Sequence, residues 1–280
     1  MKNIVVGIDF SQSSLNALKH AIALSIKTRA EIHLIWVKTP SSTSDLAKGS
    51  AKTFTKKANE MLKNIIDDCK KESPKSQIIS VILEGRVCDE LVQYASNLED
   101  AIIVMGTNGA SREIFAGSNA LRTVTKTSVP TYVVREGVFT NRDLIKILVP
   151  IDTSFETLQK MNIAIQFAKA FAAKITLLGI NSPVLPEVKH TINVQLRNAS
   201  SMCDNANVRY DVATIDVNDS PVKAVIDFAR VNEFNLITVM KEEEEDYAGF
   251  WLGITTRQLL SHAPVPLVVV PNVSYCSTSK

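Results

Sequence analysis

Short apolar runs and longer amphipathic ones alternate along nearly the whole chain. In the first half the short runs are residues 4–8, 31–37, 77–83, 101–105 and 130–134. Their length and their Val and Ile content predict buried strands. Between the first two, Leu15, Leu18, Ile22 and Ile26 recur at helical spacing behind Ser11, a good N-cap residue. Phe54, Ala58, Met61, Leu62, Ile65 and Ile66 form one helical stripe over 51–69. Val87, Leu91, Val92 and Ala95 mark a third helix, and Leu121 to Val124 a fourth.

The second half repeats the first. Ile4-Val5-Val6-Gly7-Ile8-Asp9-Phe10-Ser11 returns as Ile147-Leu148-Val149-Pro150-Ile151-Asp152-Thr153-Ser154. Ile102-Ile103-Val104-Met105 returns in Leu236-Ile237-Thr238-Val239-Met240, matched at the right-hand end. Ser128-Val129-Pro130-Thr131-Tyr132-Val133-Val134 returns as Pro264-Val265-Pro266-Leu267-Val268-Val269-Val270. Order and spacing are kept, so the chain reads as two copies of one domain, 1–137 and 143–273. In the second copy Thr153-Ser154-Phe155-Glu156 reads as a capping box opening a helix over 157–172. Ser220-Pro221 is an N-cap followed by proline at the first helical position. Strands are expected at 174–180, 208–215, 235–240 and 266–270. Strict β-α alternation implies a parallel sheet with helices on both faces, so each copy should be a doubly wound α/β domain. The short β-branched strands 131–134 and 267–270 are expected to pair, giving an intramolecular pseudo-dimer.

Ligands of such sheets sit at the carboxyl ends of the strands where the strand order reverses. Two loops of the first copy fall there: Asp9-Phe10-Ser11 after the first strand, and Gly106-Thr107-Asn108-Gly109 after the fourth, followed by Gly117-Ser118. Glycines let backbone N–H groups approach an anion, and a helix N-terminus favours one. Ser118 adds a hydroxyl, and Asp9 can accept from a ribose or base donor. The same residues also fit a tight turn and a helix cap, and spacing alone leaves both readings open.

Asp9 after the first strand, Gly106-x-x-Gly109 and Gly117-Ser118 together resemble the universal stress protein family. Ile8-Asp9-Phe10-Ser11 with Asn16-Ala17-Leu18, and Met105-Gly106-Thr107-Asn108-Gly109-Ala110-Ser111, carry the likeness, which extends over both copies. The resemblance implies tandem five-stranded parallel sheets of order 3-2-1-4-5, adenine-nucleotide alpha-hydrolase-like. It also implies ATP or AMP as ligand. By that resemblance Asp9 contacts the nucleotide and the Val37 backbone meets adenine. Met105, Gly106 and Gly109 form the ribose and phosphate loop, and Gly117 and Ser118 a second phosphate contact. Seven residues separate Gly109 from Gly117, where the ATP-binding version has nine. The shorter loop has room for fewer phosphates or none, which counts against a triphosphate and leaves an AMP-like ligand open.

The second copy has Lys241-Glu242-Glu243-Glu244-Glu245-Asp246 where the glycines belong. Those carboxylates repel phosphate, so this copy is expected to bind no nucleotide and the acidic run to be a solvated loop. Phe250 and Trp251 nearby could cover an apolar surface. The remaining chemistry is sparse. With 280 residues and 31 basic against 29 acidic side chains, nothing calls for a nucleic-acid partner. The N-terminal apolar run is too short for a membrane span, which leads to an expectation of a soluble cytoplasmic protein. Four scattered cysteines and four histidines make neither a disulfide framework nor a metal site. No P-loop, dinucleotide fingerprint or serine triad is present, so the chain is expected not to be an enzyme. Its role is then nucleotide sensing by the first copy, with an unidentified protein partner and a further homodimer left open. The rival expectations are a nucleotide-independent interaction scaffold and a weak ATPase.

Overall fold

Strand β1 (Asn3–Gly7) carries Ile4, Val5 and Val6, all fully buried, and runs parallel to both of its neighbours, β2 (Glu31–Lys38) and β4 (Ala101–Thr107). In the computed structural model, residues 1–39, 51–107, 118–138, 144–182, 186–217, 220–241, 243–246, 249–252 and 254–272 are described. The chain divides into two units, Met1–Arg142 and Asp143–Lys280.

In the first unit β3 (Ile78–Glu84) flanks β2 and β5 (Thr131–Arg135) flanks β4, all parallel, giving the order β3-β2-β1-β4-β5. Successive side chains of a strand point to opposite faces, and both faces here are covered. Val5, Ile35, Val37, Ile103 and Met105 pack with Leu91 and Ala95 of α3 (Val87–Ser96) and with Ala120 of α4 (Ser118–Lys126). Helix α1 (Gln12–Thr28) lies against β1, β4 and β5. Helix α2 (Ala51–Glu72) packs on β2 and β3. Ser11 caps α1 as its sequence suggests, its side chain accepting from Ser14 N. Asn16 Nδ2 donates to the Val138 carbonyl at 2.9 Å and His20 Nε2 does so at 3.2 Å, holding the end of the unit against α1.

The second unit has the same order. Its central strand β6 (Lys146–Ile151) pairs with β7 (Lys174–Asn181) and with β9 (Leu236–Met240). Outside these lie β8 (Tyr210–Asp216) and β12 (Leu267–Val270). The helices are α5 (Lys160–Phe171), α6 (Pro186–Asn205), α7 (Pro221–Val231) and α8 (Ile254–His262). Ser220 caps α7, accepting from Lys223 N, with Pro221 at the first helical position.

Three expectations change. First, the pairing register moves one match between the copies by a residue. Ile103 N–H donates to the Pro130 carbonyl and Ile237 N–H to the Pro266 carbonyl, so Ile237 is the counterpart of Ile103. Gly106 pairs with Val134 and Met240 with Val270, which puts Met240 in the position of Gly106. Second, the capping box does not form. Ser154 makes no side-chain cap, residues Phe155–Leu158 form a 3₁₀ turn, and the α-helix begins at Lys160. The register supplies the reason. A Cβ on Gly106 would lie 2.0 Å from the Ser13 carbonyl oxygen, so α1 can start where it does only above a glycine. With Met240 in that place, the second unit holds its helix start away. Third, the acidic run is not a loop. Strands β10 (Glu243–Asp246) and β11 (Gly249–Leu252) pair antiparallel, Glu244 opposite Trp251 and Glu245 opposite Phe250.

Cys69, Cys88 and Cys203 are buried free thiols. Burial pushes all three above the usual thiol range, Cys203 to about 11.

Candidate functional site

Strand β1 stops at Gly7, while β2 and β4 on either side continue past it. The hydrogen-bond alternation decides what faces the resulting gap. Ile32 N–H donates to Gln77 on the β3 side, whereas Ile35 accepts from Ile8 N–H at 2.8 Å, so odd-numbered residues of β2 turn toward β1. On β4, Ile103 donates to Pro130 and Thr107 accepts from Glu136, so the even-numbered residues turn toward β1. The last pairs with β1 are Gly7 with Ile35 and Val6 with Val104. Two residues further along each strand, Val37 and Gly106 therefore turn their N–H and C=O groups into the gap.

A cleft of about 1150 Å³ opens there, and Asp9, Val37, Met105 and Gly106 all line it. Four of the seven residues singled out in the sequence are thus brought together. Gly109 and Gly117 lie outside the described residues, and Ser118 is placed as the first residue of α4.

Asp9 is exposed at the cleft, and its Oδ1 accepts from Ser11 N at 2.9 Å and from Ser11 Oγ at 2.5 Å. Asp9 N donates to Ser14 Oγ at 3.4 Å. Desolvation by the surrounding protein works against its charge, but the hydrogen bonds from Ser11 and Ser14 outweigh it and hold the carboxyl below its usual range. Asp9 is therefore a carboxylate at neutral pH. Next to it Phe10 sits at φ +66, in the left-handed region that a bulky residue adopts at a cost of about 1–3 kcal/mol. Its ring lies 6.5 Å from that of Trp36, and both line the cleft.

Cleft residues that the sequence reading passed over include Trp36, Arg86 and Arg122. Arg86 had a visible signal: it occupies the residue before α3, where Ser, Thr, Asp or Asn would cap the helix.

The second unit repeats half of this arrangement and closes the other half. Asp152 Oδ1 accepts from Ser154 N at 2.8 Å and also from Ser154 Oγ, and Asp152 N donates to Thr157 Oγ1 at 3.3 Å. The Asp–Ser turn is therefore a structural element of both copies. What differs is its surroundings. Lys160, 2% exposed, places Nζ 3.0 Å from Thr157 Oγ1 and 3.8 Å from Asp152 Oδ2. The carbonyl of Met240, counterpart of the Gly106 carbonyl, accepts from Thr256 Oγ1 at 3.3 Å. In the first unit Ala120 stands where Thr256 does, with no donor to offer.

Comparison with known proteins places the chain. The sequence pattern described as the universal stress protein family matches residues 1–135 and again 145–271. The chain belongs to the universal stress protein family. It is 32% identical over 140 residues to universal stress protein MJ0531 of Methanocaldococcus jannaschii, covering 48% of this chain and 82% of that one. The crystal structure of a universal stress protein from Archaeoglobus fulgidus superposes with a TM-score of 0.77 at 19% identity, over 96% of this chain and 98% of that one. A functionally unknown protein, PA1789 of Pseudomonas aeruginosa, gives a TM-score of 0.65 at 13% identity, over 97% and 92% of the two chains. At these identities the structural likeness speaks for the fold of this family member. Among the described residues no group of three or more His, Cys, Asp or Glu could hold a metal ion, and no helix is long and apolar enough to cross a membrane.

Proposed function

We propose that the Met1–Arg142 unit binds an adenine nucleotide in the cleft at the end of β1, and that the Asp143–Lys280 unit binds none. One observation carries the reading: backbone donors and acceptors at Val37 and Gly106 face a single cleft beside the Asp9 carboxylate, whereas in the second unit the Met240 carbonyl, counterpart of Gly106, is taken by Thr256 and the Asp152 carboxylate faces Lys160. A purine edge needs a paired donor and acceptor, which the N–H and C=O of one extended residue supply. Val37 fills that role, and Phe10 and Trp36 offer flat apolar surface to the base. Asp9 accepts from a ribose hydroxyl through the carboxylate oxygen that Ser11 leaves available. The short stretch between Gly109 and Gly117 favours AMP over ATP.

In this reading the unit senses nucleotide rather than consuming it. Titration calorimetry of the full chain with AMP, ATP and cyclic AMP tests the proposal. Binding at one site per chain, AMP tightest, is expected. Absence of heat with all three ligands, together with an unchanged melting temperature, refutes it and leaves the nucleotide-independent scaffold.

A further inference from the structure

The cleft of the first unit carries a charge pattern that the second unit lacks. Among its described lining residues are four cations, Lys57, Arg86, Arg122 and Lys126, against two carboxylates, Asp9 and Asp89. The second unit serves as an internal control for each cation. Leu91 and Ala95 of α3 match the buried Val225 and Ala229 of α7, which sets Arg86 opposite Ser220. Helices α4 and α8 are both nine residues long, which sets Arg122 opposite Gln258 and Lys126 opposite His262. Leu62 and Cys69 of α2 match Leu196 and Cys203 of α6, which sets Lys57 opposite Thr191. No lysine or arginine of this cleft is matched by a lysine or arginine in the other copy.

Arg86 also breaks a local rule. It holds the N-cap position of α3 without any side-chain capping bond, whereas Ser220 caps α7 properly. A cation there also faces the positive end of the helix dipole. Departures of this kind, where local preference is given up for no local gain, concentrate at functional positions. The geometry gathers the charge at one end of the cleft. Lys126 Nζ binds Asp89 Oδ1 at 2.5 Å, tying α4 to the first turn of α3, three residues after Arg86. Arg122 lies one turn before Lys126 on the same face of α4. Asp89 thus neutralises Lys126, while neither Arg86 nor Arg122 has an ion-pair partner among the described residues.

We propose that Arg86 and Arg122 form an anion subsite that receives the phosphate of the ligand through side-chain guanidinium groups. The cleft then selects a nucleotide over its nucleoside. That the anion belongs to an adenine nucleotide rests on the reading given above; that the subsite takes a phosphate-type anion rests on the two arginines. Guanidinium groups grip phosphate oxygens in pairs, which suits a terminal phosphate at the cleft mouth.

The test is calorimetric titration of the full chain and of Arg86→Ser and Arg122→Gln, each substitution taken from the second unit. The probes are adenosine, AMP, ATP and inorganic pyrophosphate. Each variant is expected to lose AMP and ATP affinity about tenfold or more while any adenosine affinity stays within about twofold. Arg86→Ser should at the same time melt no lower than the parent, because it restores a cap; this separates lost charge from lost fold. Unchanged AMP affinity in both variants overturns the subsite and leaves the nucleotide reading standing. Pyrophosphate binding that the variants lose, in a protein that ignores every adenine compound, upholds the subsite and removes the nucleotide. Failure to bind any probe overturns both.

Discussion

Gly106→Ala is the sharpest test of how the first unit builds its cleft. The added Cβ would lie 2.0 Å from the Ser13 carbonyl oxygen and 2.4 Å from its carbon. Ordinary carbon contacts begin near about 3.5 Å, so the first turn of α1 must retreat by more than about 1 Å. Overpacking costs about 1–3 kcal/mol where side chains can yield. Here the obstacle is helix backbone, so the expected cost is at the top of that range, about 3 kcal/mol. At roughly 3 °C per kcal/mol for a unit of this size, the melting temperature should fall by about 9 °C. Two units need not unfold together, so the melt is followed through Trp36 in a Trp251→Phe background. Gly137→Ala is the control: nothing lies within 4 Å of its Cβ, and its φ of +82 should cost about 1 kcal/mol alone. A shift below about 2 °C for Gly106→Ala would show that α1 does not depend on this contact, and the account of the late helix start in the second unit would fall with it.

Further expectations concern charge and protonation. His20 is buried, its Nε2 donating to Val138 O and its Nδ1 accepting from Tyr132 Oη at 2.9 Å, and burial holds its pKa below the ordinary 6.5 against the pull of that carbonyl. Its stabilising effect is full above about pH 6.5, the unfolded value, and is lost as the pH falls toward the lower folded value. Urea midpoints at pH 8 and pH 5 should show a drop that shrinks in His20→Gln; an equal drop in the variant refutes the assignment. Lys160→Met should leave the second unit's stability within about 1 kcal/mol or raise it, because Asp152 is half exposed and stays solvated without its partner. A thermal melt showing a loss above about 2 kcal/mol would instead make that contact a true stabiliser. Asp9→Asn keeps an acceptor for Ser11 N and should change stability by less than about 1 kcal/mol, yet weaken AMP tenfold or more. Equal AMP affinity in a titration would remove Asp9 from the site.

The fold was legible because its signals are periodic and repeated. Runs such as Ile4-Val5-Val6 and Leu148 with Val149 have no polar residue to place outside, so they read as strands covered on both faces. The candidate site was legible in part: topology places Asp9 and Gly106 at the switch point, while Val37 and Met105 came only from the family resemblance. The structural meaning of Gly106 was not legible. A glycine that admits a ligand and one that admits Ser13 look alike in a sequence, and only the approach of α1 separates them. The 3₁₀ turn at Phe155–Leu158 escaped for the same reason, since Met240 acts on it from 80 or more residues away. Arg86 and Arg122 escaped because they reach the cleft from two separate helices. The hairpin of Glu243–Asp246 with Gly249–Leu252 escaped because five successive carboxylates have no strand propensity to read.

The buried thiols have one further consequence. Oxidants attack the thiolate, and a sulfur held protonated barely enters that chemistry. At pH 7.5 a group titrating at about 11, as Cys203 does, is ionised in fewer than about one molecule in a thousand. Cys69 and Cys88 are shifted in the same direction. Peroxide reaching this chain should therefore leave Cys69, Cys88 and Cys203 unoxidised while more acidic thiols around it are consumed.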